Sequence, residues 1–168
     1  TNWGANVLLR NTGNGQFEDV TELAGVGDEG WGTAAAFLDL DNDEDLDLFR
    51  VNYLNWSPGS AQDCVRTYCG PNPDDATMDR LYRNDGDGSF TDISINAGLN
   101  AAFGNGLGIT GADFNNDGLL DVFVANDLMP DHLWHNNGDG TFSEIALQAG
   151  CAMDDEGKAK AGMGVDAT

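Results

Sequence analysis

Nine residues, Asp39-Leu-Asp41-Asn-Asp43-Glu-Asp45-Leu-Asp47, recur as Asp113-Phe-Asn115-Asn-Asp117-Gly-Leu119-Leu-Asp121, and each copy lies between stretches that read as β-strands. Oxygen side chains at positions 1, 3 and 5, a backbone carbonyl at 7 and a closing carboxylate at 9 suit the roughly 6–8 oxygen ligands that Ca²⁺ takes. Mg²⁺ fits less well, because it demands stricter octahedral geometry and keeps its waters. The closing acid stands at position 9 instead of the twelfth position of an EF-hand, and strands flank the loop where helices would be needed, so this is not an EF-hand. The bland alternative is an exposed, charged hairpin. Carboxylates packed this densely repel one another at neutral pH, and a cation relieves that repulsion.

A second mark interleaves with the first. The turn motif Arg10-Asn-Thr-Gly-Asn-Gly-Gln-Phe17 returns as Arg83-Asn-Asp-Gly-Asp-Gly-Ser-Phe90 and His135-Asn-Asn-Gly-Asp-Gly-Thr-Phe142. Each copy sits between short apolar stretches and reads as a β-hairpin turn in which glycine, Asn and Asp supply the left-handed backbone. Asp85, Asp87 and Asp139 need no metal on this reading, since the first copy has no acid between Asn11 and Gly15. Asn11 to Asn84 spans 73 residues and Asn84 to Asn136 spans 52, while Asp39 to Asp113 spans 74. The excess in the first interval is an insertion between about residues 55 and 79. By spacing, Asp166 takes the first ligand position of a third loop.

Four strands per unit joined by hairpins is the pattern of a β-propeller blade. The expected fold is therefore all-β: four-stranded antiparallel blades at roughly 33–95 and 107–146, an outer hairpin before about residue 20, and a trailing strand. Residues 1–168 form one repeat region, a partial propeller. The open ends lead to the expectation that the chain is part of a longer propeller or that neighbouring molecules supply strands.

A formal charge of −22 makes contact with nucleic acid or an anionic membrane repulsive, and no apolar run is long enough to span a bilayer as a helix. The expected partners are other protein chains, possibly copies of this one. Cys64 and Cys69, among three of the prolines, form either a loop disulfide in an oxidising compartment or two reduced thiols. Asn55-Trp-Ser57 is a formal glycosylation sequon. Gly106-Leu-Gly108-Ile-Thr-Gly111 matches a dinucleotide fingerprint by letter, but it leads into a strand where a phosphate-binding helix should begin. Its counterparts, Gly30-Trp-Gly32 and Gly162-Met-Gly164, read as sites where inner strands crowd together. His132 and His135 invite a transition-metal reading, yet His135 stands where Arg10 and Arg83 stand, as an interchangeable polar strand residue. No nucleophile sits in a recognisable catalytic setting, so the chain is read as non-enzymatic.

The chain resembles FG-GAP/VCBS repeat proteins of the acidic-cartilage-protein-like, UnbV/ASPIC-associated group. The resemblance rests on Leu81-Tyr-Arg-Asn-Asp-Gly-Asp-Gly-Ser-Phe-Thr-Asp92, Gly118-Leu-Leu-Asp-Val-Phe-Val-Ala-Asn-Asp127, Cys69-Gly-Pro71 and Ala161-Gly-Met-Gly-Val-Asp166. It implies an integrin-α-like propeller, secretion or cell-surface exposure, and adhesion or protein binding. It also implies calcium ligation by Asp39, Asp41, Asp43 and Asp47, then Asp113, Asn115, Asp117 and Asp121, with carbonyls from Asp45 and Leu119. One departure is Glu44, where the second loop has Gly118: a left-handed backbone there costs a non-glycine residue roughly 1 kcal/mol. The expected function is a calcium-binding extracellular protein-binding or adhesion module with structural calcium. The alternatives are a subunit of an extracellular fibre in which neighbouring chains complete the blades, or a non-catalytic subunit docked to a membrane or redox enzyme on the outer side of the cell.

Overall fold

In the computed structural model, which describes residues 2–57 and 70–167, strands β1 (Leu9–Asn11) and β2 (Phe17–Asp19) form a hairpin. Strands β3 (Gly32–Leu38), β4 (Asp47–Asn52), β5 (Arg80–Asn84) and β6 (Phe90–Asp92) follow as one antiparallel sheet in chain order. Strands β7 (Gly106–Ala112), β8 (Asp121–Asn126), β9 (His132–Asn136) and β10 (Phe142–Glu144) repeat it. These are the two blades and the leading outer hairpin that the repeats imply. The insertion leaves β4 and returns at β5. Cys64 and Cys69, and with them the disulfide expectation, lie outside the described residues.

Strand β4 is buried along its whole length, because each sheet is covered on both faces. Phe49, Val51 and Leu81 face the second sheet and share a core with Val122, Val124, Trp134 and Phe142. On the opposite face, Leu48 and Tyr82 pack on Ala24 and Val26 of the preceding segment. The second sheet repeats the arrangement, turning Leu133 toward Ala146 and Ala152. Two buried faces explain why β8 runs Val122-Phe-Val-Ala125 without polar alternation and why even Arg50 of β4 is buried.

The connections between sheets have a structure that hairpin periodicity did not foretell. Helical turns α1 (Thr21–Ala24) and α2 (Ala146–Ala149) end on Gly25 and Gly150 with φ of +74° and +76°. Gly98, at φ +88°, holds the same place between the two blades. A left-handed glycine after a helical turn closes it with backbone hydrogen bonds that a residue with a Cβ would strain.

Glycines also set how closely the inner strands approach. A Cβ at Gly106 would lie 2.2 Å from Val51 and 3.3 Å from the Asn52 carbonyl, and one at Gly162 would lie 3.0 Å from Ala125 and 3.2 Å from the Asn126 carbonyl. Val51–Asn52 and Ala125–Asn126 hold the same register in β4 and β8. Gly162 therefore occupies the place of Gly106, and Asp166 corresponds to Thr110 inside a strand, not to Asp113. The third-loop assignment of Asp166 is corrected accordingly: spacing misled because the connection after α2 differs in length from the others. The expected trailing strand is reduced to one bridge, Asp127 to Ala161.

At the far end of each central strand an Asn is trapped by an Asp. Asp79 accepts the Asn52 backbone N–H at 2.9 Å and Asp131 accepts that of Asn126 at 2.7 Å. The amides donate onward to the Met78 and Pro130 carbonyls at 2.8 and 2.7 Å. In the first blade the neighbouring cross-strand pair is Arg50 with Arg80, where the second has Val124 with His132. Arg50 is 2% exposed and ion-pairs with Asp28, which also lies 3.3 Å from Arg80. Burial raises the Asp79 pKa to about 7, against the lowering effects of the Asn52 N–H and Arg50. A carboxyl whose folded pKa exceeds its unfolded value of 3.8 takes up its proton on folding, so its cost is absent below 3.8 and complete above about 7. Asp79→Asn keeps an acceptor for Asn52. In urea denaturation it is expected to gain stability relative to the parent as pH rises from about 4 to 7; a constant difference across that range would refute the assignment.

Candidate metal centre

Both nine-residue loops are the bends of inner hairpins, β3 to β4 and β7 to β8, whose last pairs are Leu38 with Asp47 and Ala112 with Asp121. The backbone curls identically in the two. Position 4 is left-handed at Asn42 (φ +60°) and Asn116 (+61°), and position 6 at Glu44 (+73°) and Gly118 (+88°). The expected strain at Glu44 is therefore present in its backbone. Asn at position 4 was not singled out from sequence, although it is among the non-glycine residues that tolerate this conformation best.

Short N–H to carboxylate bonds hold the ring in shape. Asp113 accepts from Gly118 (2.9 Å) and Asp117 (3.1 Å), and Asp117 accepts from Leu119 (2.9 Å). The first loop does the same with Glu44 to Asp39 (3.3 Å) and Asp45 to Asp43 (2.9 Å). Asn115 Nδ2 donates to Asp117 Oδ2 at 2.8 Å, tying two positions of the second loop together. In the first loop three carboxylates stand instead: one oxygen each from Asp39, Asp41 and Asp43 lie within 4.8 Å of one another. Asp39 Oδ1 is buried and has no hydrogen-bond partner among the described residues. Burial and then the charge of Asp43 raise the Asp41 pKa, whereas the Leu119 N–H and the Asn115 amide lower that of Asp117. An orphaned buried oxygen inside a set of crowded carboxylates fits a hard cation. The side chain of Asp45 turns to the outer hairpin, 3.3 Å from where a Cβ on Gly86 would sit.

The closing residues are the buried ones. Asp47 is 4% and Asp121 2% exposed. Asp47 accepts the N–H groups of Asn84 (2.9 Å) and Leu40 (3.3 Å), and burial, before its neighbours' charges, raises its pKa. Asp121 accepts the Asn136 N–H at 2.9 Å. The side chains of the same asparagines reach the Leu46 and Leu120 carbonyls at 3.1 and 3.2 Å, and Asn136 also donates to Leu40 of the first loop at 2.7 Å. The two sequence marks are thus one device, with the Asn that opens each turn motif clamping the loop. Asn84 and Asn136 are positioning residues that motif reading passed over, though their recurrence at one place in the turns was the available signal. The turns themselves hold together as Asx turns, Asn84 and Asn136 each accepting the N–H of the glycine two residues on at 3.0 Å.

The histidines part company. His132 is buried edge-on to Trp134, and burial lowers its pKa. His135, three residues on and hence on the other face of the strand, places Nδ1 3.0 Å from Asp121 Oδ1 and 3.3 Å from Asn115 Nδ2. One ring nitrogen faces both an acceptor and a donor, so its tautomer decides which bond forms. His135 is therefore more than an interchangeable strand residue: it stands beside the second loop, whereas Arg83 in the first blade pairs with Asp85.

Two outcomes test this construction. Glu44→Gly is expected to stabilise the chelated protein by about 1 kcal/mol, with Glu44→Gln separating the charge from the backbone effect; equal gains in denaturant titrations would mean that charge alone matters. Asn136→Ala, which removes two buried amide bonds, should cost about 2–3 kcal/mol, against about 1 for Asn84→Ala at its more exposed site.

Comparison with known proteins agrees with the repeat architecture. The family model for FG-GAP-like repeats matches residues 1–49, 62–124 and 113–163. The first match takes in β1 to the start of β4 and the second runs from before β5 into β8, so the sequence repeat is offset from the blade. Cartilage acidic protein 1 of Xenopus tropicalis is 38% identical over 71 residues, covering 40% of this chain and 11% of that protein. Its Homo sapiens counterpart is 36% identical over 69 residues, covering 39% and 10%. These alignments take in about a tenth of each relative's length. With the repeat matched along most of its length and the blades in place, the chain belongs to the FG-GAP-like repeat family.

Proposed function

We propose that the two loops bind structural Ca²⁺ in a protein-binding or adhesion module that works outside the cell. The observation that carries the metal reading is the cluster of Asp39, Asp41 and Asp43, one oxygen of each within 4.8 Å of the others, in which Asp39 also keeps a buried Oδ1 with no partner among the described residues. Asp39, Asp41, Asp43 and Asp47 would hold one ion and Asp113, Asn115, Asp117 and Asp121 the other, with the Asp45 and Leu119 carbonyls. The ion supplies positive charge to a hairpin end that otherwise confines several negative ones. A structural role is favoured because each loop closes a rigid hairpin and not a pair of helices that could open. Extracellular calcium fills sites with dissociation constants of about 10⁻⁴–10⁻³ M. Similarity to cartilage acidic protein 1 and the chain's charge of −22 support a secreted, non-catalytic, protein-binding reading.

Isothermal titration of chelated protein is expected to find two calcium sites per chain. Asp43→Ala should remove one and Asp117→Ala the other, and each variant should melt at the lower temperature of a half-loaded protein. No uptake at millimolar calcium would overturn the proposal.

A further inference from the structure

The two loops share one side chain. Asn136, 2% exposed, donates from its amide nitrogen to the Leu40 carbonyl of the first loop at 2.7 Å and to the Leu120 carbonyl of the second at 3.2 Å. Its backbone N–H goes to Asp121 at 2.9 Å, and its Oδ1 accepts the Gly138 N–H at 3.0 Å. A primary amide carries two N–H donors in one plane. With one given to each loop and the oxygen taken by the turn, the group cannot follow either loop without breaking a buried bond.

The two carbonyls stand among the ligand positions. Leu40 lies between Asp39 and Asp41; its N–H is held by Asp47 at 3.3 Å and its carbonyl by the second blade. Leu120 lies between Leu119 and Asp121. A second contact crosses at Asn42, the left-handed residue between Asp41 and Asp43, whose Nδ2 reaches the Gly118 carbonyl at 3.4 Å. Asn84, the counterpart of Asn136 in the first blade, donates from its side chain to Leu46 of its own blade alone among the described residues.

We infer that the two calcium sites are coupled through Asn136, each binding its ion more tightly when the other is full, an inference that rests on the calcium reading above. An ion in the second loop would fix Leu119 and Asp121, hence the Leu120 carbonyl and the Asn136 amide on it. Asn136 then holds Leu40 in place, and with it the ligands on either side. Order brought by the first ion is not required again of the second, which is the origin of positive cooperativity. Linkage makes the effect equal in both directions. Direct repulsion between the ions has the opposite sign, and physiological salt screens it beyond about 8 Å.

The test follows each site separately in the ¹⁵N-labelled chain, chelated and then titrated with calcium in physiological salt. The backbone amide signals of Glu44 and Gly118, which donate to the first carboxylate of their own loops, report the first and second site. Asp117→Ala, which empties the second site, is expected to weaken calcium binding at Glu44 about tenfold, and Asp43→Ala to weaken it at Gly118 by the same factor. Losing a carboxylate together with its ion leaves the second loop more negative than when loaded, so charge alone would tighten the first site instead. Combined with Asn136→Ala, both factors should fall to about one. Where that variant does not fold, the side-chain amide signals of Asn136 in the two single-site variants serve: they should shift when either site fills, those of Asn84 only when the first does. Unchanged or tighter binding in the single-site variants, a factor that survives Asn136→Ala, or Asn136 signals blind to the first site would overturn the coupling and leave the calcium sites standing. No calcium uptake by the parent chain would sink the calcium reading itself, and this inference with it.

Discussion

A carboxylate buried at the start of each central strand ties that strand to the outer hairpin. Asp47 joins its own loop through Leu40 and the outer hairpin through Asn84; Asp121 holds Asn136 in the same way. Burying a carboxylate without a counter-charge costs several kcal/mol, and hydrogen bonds from backbone N–H groups recover only part of it. No arginine or lysine is paired with either residue among the described ion pairs. A cation in the loop would meet both needs, neutralising the buried oxygen and the crowded acids around it.

The same arrangement couples one blade to the next. Asn136 of the second blade donates to the Leu40 carbonyl in the first loop, and Asn42 of the first loop reaches the Gly118 carbonyl in the second at 3.4 Å. The shared core lies beneath these contacts, with Phe49 and Val51 on one side and Val122, Val124 and Trp134 on the other. Glycines determine how near the inner strands come, as Thr33 Oγ1 illustrates by donating to the Gly106 carbonyl at 2.6 Å. A metal ion in one loop would therefore stiffen an interface as well as a hairpin.

The two blades are not copies energetically. Where the second has Val124 and His132 side by side, the first has Arg50 and Arg80 sharing Asp28 from the preceding segment. With Arg50 buried and Asp28 a quarter exposed, the pair contributes little net stability, but the buried guanidinium requires its carboxylate, which specifies what packs on that face. The first loop also carries carboxylates where the second has an amide. Chemistry thus concentrates in the first blade on a scaffold that both share.

What the residues alone determined is local. The nine-residue loops, the Asn-x-Gly-x-Gly turns and the four-strand blades were legible because carboxylate crowding, left-handed turns and hairpin pairing act within about ten residues, leaving a pattern in the order of side chains. The unclaimed role of Asn84 and Asn136, the seat of His135 beside Asp121 and the register of Asp166 were decided only by tertiary structure. Each depends on segments far apart in the chain meeting across a sheet face, and that meeting is set by the volume of side chains such as Val51 against Gly106. Residue spacing records the first kind of information; packing between faces, which tolerates connections of different length, erases it for the second.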